Sequence, residues 1–254
     1  MFARVIYVFI TIALFPRGIS GQEGSVPVTE TLQNNIYSAY VQGNMPLWEQ
    51  TLADMEFLYS ERPTNIVLYD ILLAQYGLIG YYLGTGQNGK GSSHLEKAEE
   101  YLKRLAAARA YRATSLVFES AFLAYRISIR PIRAVQLGPR SYRLIDEAME
   151  LDAAYSRVWI EKGNAAFYTP SMFGGNKSDA ITYYLKAIEL MEKNMPNNHR
   201  WLYLSTLMAL ANAYETTGNL PGAIRTVNKA LAFEPDFIWA KDEVLPKYRS
   251  MIRQ

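Results

Sequence analysis

The segment from Gly84 to Leu95, GTGQNGKGSSHL, carries the residue types of a phosphate-binding loop. Gly84, Gly89 and Lys90 stand at the spacing of the pattern G-x-x-x-x-G-K-[ST], in which backbone N–H groups and a lysine hold nucleotide phosphates. The magnesium-binding Ser or Thr of that pattern is replaced here by Gly91. Such a loop also follows a β-strand, whereas the preceding ILLAQYGLIGYYL has the length and small-residue spacing of a helix. We therefore interpret the segment as an expanded, solvated turn between two helices.

The sequence offers no set of residues for catalysis. It has no cysteine and only two histidines, His94 and His199, which lie far apart in the chain. Cysteine nucleophiles, thiolate metal sites and disulfides are excluded, and a histidine-rich metal centre is disfavoured. Adjacent carboxylates such as Glu99 and Glu100 diverge on a helix, so they do not form an acid–base pair. We predict solvated positions for both histidines, no cofactor, no metal and no enzymatic activity.

The first 21 residues are predicted to be a cleaved signal peptide. A short basic start is followed by an apolar run of eleven residues, Val5 to Phe15, and by small residues around Ser20 and Gly21. The run is too short to span a bilayer, and an uncleaved anchor is the alternative. Residues 22–254 then form the mature domain, periplasmic or secreted, with no integral membrane segment.

Processing also changes the charge of the chain. The whole sequence has 26 basic and 24 acidic residues, and the predicted signal peptide removes two of the basic ones, Arg4 and Arg17. The mature chain is therefore close to neutral, and its charge balance does not point to a nucleic-acid partner.

The segment from Leu207 to Pro235 has the pattern of two antiparallel helices. Apolar and small residues recur at helical spacing on both sides of a Gly–Asn break: Leu207, Leu210, Ala211, Tyr214, Ala223, Val227 and Ala230. This pattern resembles the tetratricopeptide repeat (TPR), a 34-residue helix–turn–helix unit. The best repeat covers residues 204–237. The second best covers residues 156–193, where Gly163 and Ala166 match.

Looser matches extend the resemblance towards the start of the chain and give about five hairpins. Three of them have stretched inner turns: one at Gly84–Ser93, one that ends where a helix is predicted from Ser141, and one that begins at Tyr168. The resemblance implies an all-α, right-handed superhelical solenoid in which each hairpin buries its apolar face on its neighbours. The tail from Phe237 to Ile252 is similar to the capping helix of such arrays, and Pro246 is expected to kink or split it. An irregular helical bundle is the alternative for the N-terminal half.

The resemblance implies a concave surface that is lined by the first helix of each hairpin. It places the following residues on that surface: Asn164, Asn212, Arg157, Tyr168, Arg126 and Met208. Asn164 and Asn212 occupy the same position in successive repeats, where an amide can hydrogen-bond an extended peptide backbone. The alternative is that these amides tie adjacent helices together.

A second glycine-containing turn, YTPSMFGGNKSD, begins at Tyr168. Met172 and Phe173 are candidates for a lip over a binding cleft, and Ser178 or Asp179 for the cap of the next helix. The loop has a weaker resemblance to TPR-like proteins associated with TRAP-type solute transporters. The sequence thus predicts a non-enzymatic scaffold that binds a protein or peptide in its concave groove. The alternative is a periplasmic ligand-binding accessory protein of a solute uptake system, with a small-molecule ligand.

Overall fold

The computed structural model describes residues 28–194 and 199–252, so the predicted signal peptide lies outside the described residues. The described residues contain eleven α-helices and no β-strand. The helices are α1 Val28–Gln42, α2 Met45–Glu61, α3 Asn65–Gly84, α4 Asn88–Ala106, α5 Arg112–Ile129, α6 Ala134–Leu151, α7 Ser156–Tyr168, α8 Lys177–Lys193, α9 Arg200–Thr216, α10 Leu220–Phe233 and α11 Leu245–Ile252. A π-helical segment, Trp239–Val244, runs directly into α11.

The first ten helices form five antiparallel hairpins, each made of an odd-numbered helix and the even-numbered helix that follows it. Each hairpin packs on the next, and α11 with the π-helical segment covers α10. This is the all-α solenoid of TPR-like hairpins that the sequence predicts. The capping segment changes from π-helix to α-helix at Leu245, one residue before Pro246, with no non-helical residue between the two parts.

Two helical glycines occupy the positions where the repeat pattern expects close helix contact. A Cβ on Gly163 would lie 2.5 Å from the ring of Tyr184, the partner residue on α8. A Cβ on Gly77 would lie 2.7 Å from Trp48 and 2.9 Å from Trp201. In both places a large aromatic ring fills the space that the missing side chain leaves, so any larger residue would push the helices apart.

Helix α3 is the central helix of the fold and packs on α1, α2, α4 and α5. Twelve of its 20 residues are buried, and they lie on every side of the helix. It is also the one described helix long and apolar enough to cross a membrane, although two thirds of that stretch is buried inside the protein. A helix that is hydrophobic all round is expected at the centre of a globular domain.

The first hairpin packs directly on the last one. Tyr37 of α1 donates a 2.7 Å hydrogen bond to Glu234, which follows α10. The ring of Tyr40 lies 5.7 Å from that of Trp201 on α9 and 5.3 Å from that of Phe237. The superhelix therefore turns tightly enough for its two ends to meet, and helix α3 fills the inside.

Two of the three predicted stretched turns are wrong. Helix α4 begins at Asn88, so most of the glycine-rich segment is helical, and a Cβ on Gly91 would lie 2.8 Å from Leu83. That glycine lets the two helices of the hairpin meet immediately after their turn. Helix α6 begins at Ala134 and contains Pro139, so it starts earlier than the helix that the sequence predicts from Ser141. The third stretched turn, between α7 and α8, is present as predicted.

Candidate binding surface

Asn164, one of the two matched asparagines, is partly buried, and its side chain is engaged by three other side chains. Its Nδ2 donates to the hydroxyl of Tyr76 on α3 and to a carboxylate oxygen of Glu161, both at 3.2 Å. Its Oδ1 accepts a 2.8 Å hydrogen bond from the hydroxyl of Tyr184 on α8. The amide thus connects α7 with the central helix and with its own hairpin partner, and its hydrogen-bonding capacity is largely used within the chain.

Arg157 lies in the same internal cluster and is only 1% exposed. Its guanidinium group stacks between the rings of Phe118 and Tyr76, with 4.0 and 4.9 Å from the guanidinium carbon to the ring centroids. Its Nη2 is 3.9 Å from Glu161 Oε1, an ion pair without a hydrogen bond. None of its three nitrogens has a hydrogen-bond partner among the described residues. This arginine therefore contacts two aromatic rings and one carboxylate in the interior, and it does not face an open surface.

Burial perturbs the titration of this cluster. Desolvation raises the pKa of Glu161 above its ordinary value, although the charge of Arg157 and hydrogen bonds from Asn164 and Tyr76 act in the opposite direction. Burial likewise raises the pKa of Tyr76 well above 10, so its hydroxyl stays protonated. Arg157 is 1% exposed and Glu161 is 4% exposed, so we interpret the cluster as a structural polar core.

Two other candidates for the concave surface are also engaged inside the fold. Arg126 Nε donates a 2.7 Å hydrogen bond to Glu99, which makes an ion pair between α5 and α4. Met208 is 4% exposed and belongs to the hydrophobic core. Their side chains hold neighbouring helices together.

The remaining three candidates lie near the C-terminal ends of α7 and α9: Tyr168 ends α7, Phe173 lies in the loop after it, and Asn212 is four residues before the end of α9. Tyr168 is 73% exposed and Phe173 is 62% exposed, and Met172 beside them is 81% exposed. The side chain of Asn212 on α9 is partly exposed and makes no hydrogen bond within the described residues. Because the odd-numbered helices run parallel in a solenoid, these residues lie towards the same edge of the solenoid.

The loop after α7 is held in place from two sides. Tyr142 of α6 donates to the backbone oxygen of Ala165 at 3.2 Å and to the hydroxyl of Thr169 at 3.0 Å. The cap of α8 is Asn176, whose Oδ1 accepts from the backbone N–H groups of Ser178 and Asp179, so the prediction of either of those residues as cap is wrong. A fixed loop presents Met172 and Phe173 to solvent.

Both histidines have partners, which corrects the prediction that they are solvated. Nε2 of His199 lies 3.0 Å from a carboxylate oxygen of buried Asp70, which also accepts a 2.7 Å hydrogen bond from Gln33. The adjacent cavity of about 10 Å³ has room for one water at most. Nδ1 of His94 lies 2.9 Å from Gln75 Oε1. The sequence held no sign of these contacts, because they join residues that are distant in the chain.

The described residues contain no group of three or more His, Asp or Glu side chains that could hold a metal ion. An open cleft of about 620 Å³ lies where the turn between α1 and α2 faces the segment after α10. It is lined by Gln42, Asn44, Asp236, Ile238, Lys241 and Asp242. No residue predicted for binding lines this cleft.

Comparisons with known proteins identify the fold. No protein-family model matches the chain, and no curated protein matches it. Among solved structures it is similar to the HusA haemophore from Porphyromonas gingivalis, with a TM-score of 0.63 and 17% identity over 77% of this chain and 96% of that one. It is also similar to a thermophilic TPR protein in Thermus thermophilus, with a TM-score of 0.56 and 18% identity over 88% of this chain and 100% of that one. The chain thus has a TPR-like fold.

Proposed function

We propose that this chain is an exported, non-enzymatic scaffold that binds a protein or peptide partner at the edge of the solenoid where α7 and α9 end. The observation that carries the proposal is the contrast between two equivalent amides. Asn164 is engaged by Tyr76, Glu161 and Tyr184, whereas the amide of Asn212 makes no hydrogen bond within the described residues. An amide that is partly exposed and unengaged can donate to and accept from a peptide backbone.

Tyr168 and Phe173 supply the apolar part of this surface. A large exposed aromatic side chain offers contact area at a low cost in conformational entropy, which is why such residues dominate the energetics of many interfaces. Tyr168 is the last residue of α7 and Phe173 lies in the fixed loop that follows, so little of their binding energy is spent on ordering the loop. Arg157, Arg126, Met208 and Asn164 contribute to binding indirectly, because they fix the helices that carry the exposed residues.

Export is part of the proposal and rests on residues 1–21, with their basic start, apolar run and small residues. Mass spectrometry of the purified mature protein tests it. We expect an N-terminus near residue 21 or 22 in the exported fraction, and a chain that still begins at Met1 would contradict the export proposal.

Site-specific photo-crosslinking tests the binding surface. A photoreactive phenylalanine analogue is placed at Tyr168 or Phe173, and the matched control carries it at Arg225, an exposed residue of α10. We expect a discrete crosslinked product from the first two positions and none from the control. Substitution Asn212→Ala should reduce the yield at Tyr168. Equal yields at all three positions, or no product at Tyr168, would overturn the proposal.

A second candidate is a ligand-binding accessory protein of a solute uptake system. The haemophore among the structural neighbours raises haem as the ligand, and Tyr168 and Met172 are exposed side chains of the types that ligate haem iron. Absorbance titration of the mature protein with haem tests this. A saturable spectral change that is weakened by Tyr168→Phe or Met172→Ala would support it, and a titration that matches a non-binding control protein would exclude it.

A further inference from the structure

The turn between α5 and α6 is both strongly basic and apolar. Residues 120–145 contain five of the 26 basic residues of the chain and none of its 24 acidic residues. The five are all arginines: Arg126, Arg130, Arg133, Arg140 and Arg143. Because the chain as a whole is nearly neutral, this segment is a local concentration of positive charge.

Two of these arginines are neutralised, and two at the turn itself are not. Arg126 pairs with Glu99, and Arg140 pairs with Glu119. Arg130 and Arg133, at the 3-10 turn Pro131–Arg133, are exposed and have no carboxylate within 4.0 Å among the described residues. Their guanidinium groups are free to bind an external anion, and arginine is suited to the geometry of phosphate oxygens.

Aliphatic side chains project from the same turn. Ile132 is 88% exposed and Val135 is 81% exposed, and they alternate with the two free arginines along the chain. Single exposed aliphatic residues are common on protein surfaces. Two that are almost fully exposed, on a turn with unpaired arginines, form an amphipathic tip.

The loop after α7 lies next to the turn between α5 and α6 and also exposes apolar side chains. Val135 and Tyr142 are seven residues apart on α6, about two helical turns, so they share one face of that helix. Tyr142 hydrogen-bonds Thr169 at the start of the loop after α7, which contains the 81% exposed Met172. The apolar tips of two adjacent turns therefore lie on the same edge of the solenoid.

We propose that this edge docks on an anionic phospholipid surface, with Arg130 and Arg133 on headgroup phosphates and with Ile132 and Val135 in the interfacial region. The apolar residues protrude from turns and do not line a groove, so a deformable, flat surface accommodates them better than the surface of a folded partner. Basic residues near an anionic bilayer and apolar side chains that enter the headgroup boundary act together in peripheral binding. The docking residues Arg130, Ile132, Arg133 and Val135 are different residues from Tyr168, Phe173 and Asn212 of the proposed partner surface, so each proposal is tested by its own variants.

Vesicle co-sedimentation of the mature protein tests the docking. The probes are vesicles of phosphatidylcholine alone and of phosphatidylcholine mixed with phosphatidylglycerol, at low and high salt. We expect binding only to the anionic vesicles, with weakening at high salt because exposed charges are screened. Arg130→Gln/Arg133→Gln should weaken binding about 30-fold, since each basic residue near such a surface contributes about fivefold. Ile132→Ser/Val135→Ser should weaken it at unchanged net charge.

The matched control is Arg225→Gln/Arg249→Gln, which removes the same charge from exposed positions outside this edge. It should retain binding within about twofold of wild type, because the effect falls off within a Debye length of the surface. Circular dichroism confirms the fold of each variant. Equal losses in the two arginine pairs, unchanged binding of Ile132→Ser/Val135→Ser, or binding of wild type to polyglutamate but not to anionic vesicles would overturn the proposal. The last result would point to an acidic protein partner.

Discussion

Asn164 of α7 donates a 3.2 Å hydrogen bond to the hydroxyl of Tyr76 on the central helix α3. The two residues belong to hairpins that are not neighbours in the chain, so the bond crosses the inside of the superhelix. In an open solenoid that position faces a groove, but here helix α3 occupies it. Free surface on the inner side is consequently found towards the ends of the helices, where Tyr168 and Asn212 lie.

The two equivalent asparagines should respond differently to substitution. Asn164→Ala leaves the buried hydroxyl groups of Tyr76 and Tyr184 without this partner, so we expect it to lower the free energy of unfolding by about 1–3 kcal/mol. Asn212→Ala removes no intramolecular hydrogen bond and should change stability by less than about 0.5 kcal/mol. Urea denaturation of both variants measures this, and equal destabilisation would show that Asn212 is also structural.

Arg157 and Glu161 should be strongly coupled. Arg157→Met leaves the Glu161 carboxylate buried without its counter-charge, and we expect a loss of about 3–5 kcal/mol. The double variant Arg157→Met/Glu161→Met removes both charges, as well as the unpaired guanidinium donors, so it should be more stable than Arg157→Met alone. A double-mutant cycle by urea denaturation measures the coupling, and additive effects of the two substitutions would contradict it.

The free energy of unfolding should depend on pH because Glu161 has different pKa values in the folded and unfolded states. Because burial raises its pKa in the folded state above the ordinary value near 4.5, the folded state binds this proton more tightly than the unfolded chain. The corresponding stability is fully present below pH 4.5 and is lost as the pH rises through the folded-state pKa. The difference in unfolding free energy between wild type and Glu161→Gln should therefore fall as the pH increases.

Glu189 provides a control because its pKa is shifted in the opposite direction from that of Glu161. Hydrogen bonds from Lys193 and Lys186 lower its pKa from 4.5 to about 2, so its contribution is present above pH 4.5 and is lost as the pH falls towards 2. Its side chain is on the surface, where screening by solvent and salt makes the effect small. If Glu161→Gln and Glu189→Gln gave the same direction of pH dependence, the proposed cause for Glu161 would be wrong.

Gly163 should not tolerate even one added carbon. A Cβ there would lie 2.5 Å from the buried ring of Tyr184, so Gly163→Ala should lower the melting temperature although alanine favours the helix by about 1 kcal/mol. Gly89→Ala on α4 is the matched control, because nothing lies within 4 Å of its added Cβ. That variant should keep or raise the melting temperature, as differential scanning calorimetry would record. A Gly163→Ala protein as stable as wild type would argue against this close contact.

The repeat pattern predicted the fold because hairpin packing is local. Gly163 and Tyr184 lie on the two helices of one hairpin, and the spacing of the repeat alone places them in contact. The contacts of Arg157 and Asn164 inside the superhelix could not be predicted in this way. Whether their side chains face a groove or a central helix depends on how tightly the superhelix turns, which is decided by contacts between the first and last hairpins, such as the one between Tyr37 and Glu234.

Two of the predicted turns also differ from the structure because tertiary packing decides where their helices begin. The glycines around Gly89 and the Gly138–Pro139 pair lie in predicted turns, yet both segments are helical. In the first case the fit of Gly91 against Leu83 favours the helix. Local propensity is a weak prior that tertiary packing overrides.

A distance measurement between the first and last hairpins tests the closed superhelix most directly. The chain has no cysteine, so spin labels on Asn34→Cys and Asp236→Cys, both at exposed positions, are unique. Asn34 is about one helical turn from Tyr37, and Asp236 is two residues from the Tyr37 partner Glu234, so double electron–electron resonance should give a distance of about 20 Å or less. A separation of about 35–40 Å, as expected from four helix-packing steps of about 9–10 Å in an open solenoid, would contradict the closed arrangement and restore an open groove.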